Sequence, residues 1–405
     1  MPRQKRSWQE SELSSEVEES VDAVCKEVKR EKDDSIASKA ILSLMSKLGV
    51  THKKLELDQQ ALPSFSSTTW DDACAAFHLD PEKSFRQLEE FQVPDLILPP
   101  TVHERILKLA AMMLDVYKDP EDQKTEASHV RLLEAWHVPI CQLFQGRIID
   151  KPEARLGGTS VSSGGGIEHE LYALNGGVLL LVGELKSSVH SNFVDEAQAL
   201  FELEAAFVYN RELGLDPQPP VHAFLTDLIT FKFFKYDGRN FARQDSIVLH
   251  DHLEFDAFLS GMMPVAERIF STIMDGFIDH LEAMADKFRG RGEHGDRSDV
   301  SSSDAKVWTR ASARATVQAQ RRPYARPSTA IWEAAHQKAV HAREFLTRKS
   351  VQVTKRQAEK QGREGLRLLG ESVRTLQKLS SMEDWDEEQL QRTIKTLLDE
   401  HSWGA

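Results

Sequence analysis

From Thr101 onward the apolar positions fall into clear periods. Ile106, Leu109, Met113 and Leu114 follow helical spacing and stop at Asp119-Pro120. Leu132, Leu133, Trp136, Ile140 and Leu143 mark one face of a helix from about Thr125 to Phe144, with a break expected near Pro139. Gly157 to Gly166 reads as a Gly/Ser loop. The period then drops to two: Glu168, Glu170 and Tyr172 alternate with His169, Leu171 and Ala173. Asn175-Gly176-Gly177 is a hairpin turn. Val178 to Val182 is apolar at every position, as a strand covered on both faces must be. It ends in Gly183-Glu184-Leu185-Lys186, so Glu184 and Lys186 project to the same side. Val194 to Leu213 predicts a long helix with Ala197, Leu200, Phe201 and Ala205 inward. Val221–Thr226, Ile229–Tyr236 and Ile247–Leu249 predict strands, with a turn at Asp237-Gly238. Phe255 to Met284 predicts a helix broken near Pro264.

The two ends are poorer in apolar periodicity. Val17, Val21, Val24 and Val28 form a narrow helical stripe within an acidic stretch, 8–35, and Ala37 to Leu48 predicts a short helix closed by Gly49. Thr69 or Asp71 is placed to cap a helix that runs through Phe77. Arg289 to Ser303 is Gly, Ser and charge. Residues 306–405 are helix-prone but apolar only at Leu366–Leu379 and Leu390–Leu398. The expected organisation is a helical N-terminal extension (1–100), an α/β core (101–288), a flexible linker (289–305) and a basic helical region (306–405).

Composition narrows the classes. A net charge of −13 over 405 residues argues against a protein that coats nucleic acid with its whole surface. The charge is uneven, however. Residues 306–360 hold 13 Lys and Arg against 3 Asp and Glu, with Trp308, Tyr324 and Trp332 among them. Such a segment can hold phosphates and stack bases. Cys25, Cys74 and Cys141 lack metal-ligand spacing and fit a reducing compartment. No stretch approaches the length of an apolar membrane span, and no apolar region follows the basic start. The expected location is intracellular, nucleus or cytoplasm. Gly164-Gly165-Gly166 is not followed by the Gly-Lys-Ser/Thr of a phosphate-binding loop.

Candidate chemistry concentrates in the hairpin. Carboxylates converging near a lysine suit metal-assisted phosphodiester hydrolysis, because Mg²⁺ takes hard oxygen ligands and an ammonium can orient water or stabilise charge. Acid-x-Lys also occurs at Glu27-Val28-Lys29, Asp122-Gln123-Lys124 and Asp304-Ala305-Lys306, none of which ends an apolar strand. Specificity comes from the order: helix, acid strand, Gly turn, buried strand, Glu-x-Lys, helix. His169 should face away from the acids, Asp195 and Glu196 suit a helix first turn, and Asp227 suits a turn.

That order, over about residues 120–255, resembles the core of the PD-(D/E)XK nuclease superfamily, and in particular versions of it in fungal proteins. Glu184-Leu185-Lys186 matches the (D/E)-x-K motif. Phe193 to Gln198 is similar to the following helix, and Thr125 to Val130 to the first-helix motif. Phe224-Leu225-Thr226-Asp227 with Phe231-Lys232-Phe233-Phe234 resembles the later hairpin. The resemblance implies a restriction-endonuclease-like α/β fold, a central mixed sheet flanked by helices. It implies a nuclease using Mg²⁺ (or Mn²⁺) on DNA or RNA, with nucleic acid held by the core cleft and segment 306–360. By the same resemblance Glu184 and Glu170 (or Glu168) hold metal, Glu126 completes the shell with Glu134 as second choice, Lys186 orients water and Gln198 supports it. The superfamily places Asp on the first hairpin strand. Here no Asp lies between Asp150 and Glu184, and Glu168 and Glu170 stand in its place. The alternative is a catalytically inactive nuclease-fold protein acting as a nucleic-acid or protein interaction module.

Overall fold

The computed structural model describes residues 62–118, 125–173, 177–186, 193–215, 217–249, 255–293, 329–347 and 354–376. The chain divides into two compact units, Met1–Pro63 and Ser64–Ala405, and the described elements belong to the second. Its helices are α1 (Trp70–Phe77), α2 (Pro100–Tyr117), α3 (Glu126–Gln142), α4 (Val194–Glu212), α5 (Phe255–Glu293), α6 (Thr329–Leu346) and α7 (Lys355–Thr375). Its strands are β1 (Glu89–Glu90), β2 (Ile148–Gly157), β3 (Gly164–Ala173), β4 (Val178–Leu185), β5 (Val221–Thr226), β6 (Thr230–Tyr236), β7 (Phe241–Arg243) and β8 (Ile247–Val248).

The strands make one mixed, open sheet of order β1-β7-β6-β5-β4-β3-β2, with β8 paired to β6. β2, β3 and β4 run as an antiparallel meander, and β4 pairs in parallel with β5. A parallel pair needs a crossover, and α4 supplies it. α4 and α1 cover one face, where Leu179, Val182, Leu200, Phe201, Leu225 and Phe234 pack together. The larger apolar layer on the other face joins Leu181, Phe224 and Phe233 of the sheet to Trp136 of α3, Phe277 of α5 and Trp332 of α6. β4 is therefore buried along its whole length, which accounts for its unbroken apolar run.

Local chemistry sets the helix starts. Thr69 caps α1: its side chain accepts from the Asp72 N–H at 3.2 Å, and the Asp72 carboxylate accepts from the Thr69 N–H at 2.9 Å. Thr354 and Gln357 repeat this reciprocal cap at α7. Pro99-Pro100 opens α2, where a missing N–H costs nothing.

Several expectations change. α3 and α5 run unbroken through Pro139 and Pro264. Each proline forfeits a backbone hydrogen bond, and in α3 burial of Trp136, Pro139 and Ile140 outweighs that loss. β2 was hidden in the sequence. It carries Asp150, Lys151, Pro152 and Glu153, a composition that only an edge strand tolerates. The loop expected over 157–166 is shorter, because β3 begins at Gly164. The segment expected to start a linker at Arg289 continues α5 to Glu293.

The boundaries expected at 100 and 306 do not divide the packing. Residues from Ser64 belong to the same unit as the sheet, and α6 and α7 pack on the core through Trp332, Ala339, Leu346 and Leu369. Trp332 lies parallel to Phe288, 6.1 Å between rings, and is 1% exposed, so it is a core residue and not a base-stacking platform. The helices expected over 8–35 and 37–48, most of 289–328 with Trp308 and Tyr324, and Leu390–Leu398 lie outside the described residues.

Gly183 is required by space. A Cβ there would stand 2.6 Å from Phe224 Cζ and 3.2 Å from His169 Cβ. Phe224 and His169 are both fully buried and cannot swing clear. Gly183→Ala is expected to cost about 1–3 kcal/mol, read as a lowered midpoint in urea unfolding. An unchanged midpoint would show that Phe224 gives way freely.

Candidate functional site

β3 and β4 place His169 opposite Gly183, so the antiparallel register puts Glu168 beside Glu184. α4 lies against this face and adds Gln198 and, one turn on, Glu202. These four side chains, with Lys186, form a single polar cluster in an otherwise apolar layer. The Lys186 ammonium and the Gln198 amide both donate to Glu184 Oε1. Gln198 also donates to Glu202 Oε1 at 2.8 Å. Glu184 is 1% exposed and Glu202 0%.

Three carboxyls this close cannot all ionise in a dry layer. Burial, and then the neighbouring Glu184, push the Glu168 carboxyl up to about 9. Burial and Glu202 push Glu184 up to about 8, against the pull of Glu168 and Lys186. Burial raises Glu202 to about 8 as well, although Gln198 bonds to it. Lys186 is raised too, which in its case favours the charged form: burial disfavours its charge, but Glu184, Glu168 and more distantly Glu126 hold it above the ordinary lysine range. The Oε2 atoms of Glu168, Glu184 and Glu202 are all buried, and no N–H or O–H donor reaches any of them among the described residues.

The end of β4 is fixed from two sides. The Lys186 N–H donates to the Thr226 carbonyl of β5 at 2.9 Å. The Lys186 carbonyl lies 2.9 Å from His129 Nδ1, which ties the start of α3 to the site.

Glu168, Glu184, Lys186 and Gln198 are thus brought together as the sequence suggested. Glu170, preferred over Glu168 there, is not in the cluster. It lies two residues along β3, accepts the Tyr172 hydroxyl at 2.6 Å, and faces Lys151. Glu126 sits exposed in the first turn of α3, near enough to bear on the charge of Lys186 but outside the buried group. Glu134 pairs with Arg131 on α3. Asp227 accepts from the Ile229 and Thr230 N–H groups and belongs to a turn. Glu196 does more than decorate a first turn: it is buried and pairs with Lys232 of β6 at 2.5 Å. Glu202 was missed by the sequence reading. The signal was available, because it follows Gln198 by four residues on the same helix face.

Two further groups place metal-ligating atoms within 4.8 Å of one another: His137, Asp150 and His169, and His222, Asp275 and Asp279. Both lie on the opposite side of the sheet from α4. No helix among the described residues is long and apolar enough to cross a membrane. No protein-family model, curated protein or solved structure matches this chain.

Proposed function

We propose that the chain carries a restriction-endonuclease-like core and acts as a Mg²⁺- or Mn²⁺-dependent nuclease, hydrolysing phosphodiester bonds of DNA or RNA at the Glu168–Glu184–Lys186 cluster. One observation carries the reading. Three carboxyls converge, each with a buried oxygen that no donor reaches, beside a lysine and a glutamine on the same strand end and facing helix. Such a donor set is hard, anionic and under-neutralised, which is what a small divalent cation satisfies. The order of α3, the β2–β3–β4 meander and α4 also agrees with the resemblance noted above.

Glu168 and Glu184 would hold the metal, with Glu202 as a third carboxylate and Glu126 at the mouth. The bound ion would supply charge neutralisation for the phosphate and a more acidic water. The chain's own residues do the rest. Gln198 holds Glu184 and Glu202 in fixed rotamers through one amide. Lys186 keeps its proton and stands ready to donate to an incoming water or to a non-bridging phosphate oxygen.

The test is incubation of the full-length protein with labelled single- and double-stranded DNA and RNA, with Mg²⁺ or Mn²⁺ and with chelator. Cleavage that requires the metal supports the proposal. Metal-dependent binding without cleavage would leave a nucleic-acid interaction module, and neither would remove both readings.

Protonation gives a second measurable consequence. At neutral pH the cluster keeps protons that a metal must displace. Affinity for Mn²⁺ is therefore expected to rise with pH through about 8, and binding should release one or more protons. Calorimetry in buffers of different ionisation enthalpy reads both. Affinity that is flat between pH 6 and 9 would count against a site built on these acids.

A further inference from the structure

We propose that His137, Asp150 and His169 form a second divalent-metal site, a two-imidazole, one-carboxylate set suited to Zn²⁺, which pins α3 to β2 and β3. Glu168 and His169 are consecutive on β3, so their side chains leave opposite faces of the sheet. The two centres stand back to back, and Gly183 leaves the room for His169.

The geometry is that of converging ligands. His169 Nδ1 lies 2.9 Å from Asp150 Oδ2, and His137 Nδ1 lies 3.4 Å from the same oxygen. Donors held about 2.0–2.2 Å from one Zn²⁺ stand about 3.3–3.6 Å apart in a tetrahedron; both nitrogen-to-carboxylate separations are close to that, and all three ligand atoms lie within 4.8 Å of one another. The imidazoles are fully buried, while Asp150 is 20% exposed at the sheet edge and leaves a way in.

A hydrogen-bonded strut accounts for this arrangement less well. His169 Nδ1 makes a hydrogen bond to Asp150, but the 3.4 Å approach of His137 Nδ1 to the same carboxylate lacks hydrogen-bond geometry, and that buried nitrogen has no hydrogen-bond partner among the described residues. Its other nitrogen, Nε2, rests 3.6 Å from Cys141 Sγ, which fixes the ring. Cys141 Sγ lies against Nε2 while Nδ1 is the atom that faces Asp150, which leaves the sulfur outside the ligand set. Imidazole with carboxylate favours zinc over Mg²⁺. The His222 group is a poorer candidate, because Asp275 already faces Arg343 at 3.5 Å with Lys235 nearby.

The test uses untagged full-length protein, stripped with chelator and reloaded with Zn²⁺ or Co²⁺. The expected result is one Zn²⁺ per chain retained through gel filtration, and a tetrahedral Co²⁺ visible spectrum without a thiolate charge-transfer band. Asp150→Asn and His169→Asn should weaken Zn²⁺ binding by at least about 100-fold, while Glu184→Gln leaves it intact. Wild-type protein that retains no Zn²⁺, a thiolate band, or binding unchanged in both variants would overturn the site. If a variant fails to fold, the wild-type stoichiometry and Co²⁺ spectrum decide the matter alone.

Discussion

Alanine at Lys186 is expected to lower metal-dependent cleavage by about 10²–10³-fold, the usual cost of removing one preorganised stabiliser of transition-state charge. The effect should fall on kcat. The Lys186 backbone is held by Thr226 on one side and His129 on the other, so truncation of the side chain leaves the strand end in place. Its ammonium sits on Glu184 Oε1 and is a competing cation within the acid cluster. Removing it should leave affinity for Mn²⁺ unchanged or improved. That combination, metal held and turnover lost, separates a catalytic lysine from a merely structural ion pair, whose loss would lower stability and metal binding together. Single-turnover cleavage and Mn²⁺ calorimetry on the same preparation read the two quantities. Wild-type rates in Lys186→Ala would defeat the assignment, because no other described lysine contacts Glu184.

How far the site was legible depends on which physical signal set each part. Strand period places Glu184 and Lys186 on one side, and the structure agrees because nothing but β geometry is needed. The choice between Glu168 and Glu170 was beyond that signal, since both share a face. Register decides it, and register follows from the pairing of His169 with Gly183. β2 was unreadable because an edge strand need not alternate cleanly, and Pro152 disguises it further. α3 and α5 were divided at their prolines because the sequence shows the local cost and not the burial that offsets it. The basic tail misled for a related reason: Trp332 looked like an aromatic among cations, whereas tertiary packing claims it for the core.

Glutamine at Glu202 or Glu184 is expected to do two opposed things: stabilise the metal-free protein and remove its response to metal. The sign follows from linkage. These acids are raised to about 8 in the fold from an ordinary 4.5. The folded state therefore holds more protons than the unfolded state between those values, and the cluster's contribution to stability falls as pH rises through that window. Glutamine is nearly isosteric and cannot ionise. At pH above about 8 it should raise stability, read as a higher urea midpoint than that of the wild-type protein at the same pH. Below the ordinary carboxylate range it should change little. Wild-type protein should instead gain about 2.7 kcal/mol from a metal at 100 times its dissociation constant, and the variants should gain none. Urea unfolding at acidic and alkaline pH, each with Mn²⁺ and with chelator, gives all the comparisons. A variant equally destabilised at both pH values, or one that Mn²⁺ still stabilises, would mean that Glu184 and Glu202 are ordinary structural acids. The predicted result would mean that the fold tolerates an unfavourable buried charge that only a bound cation relieves.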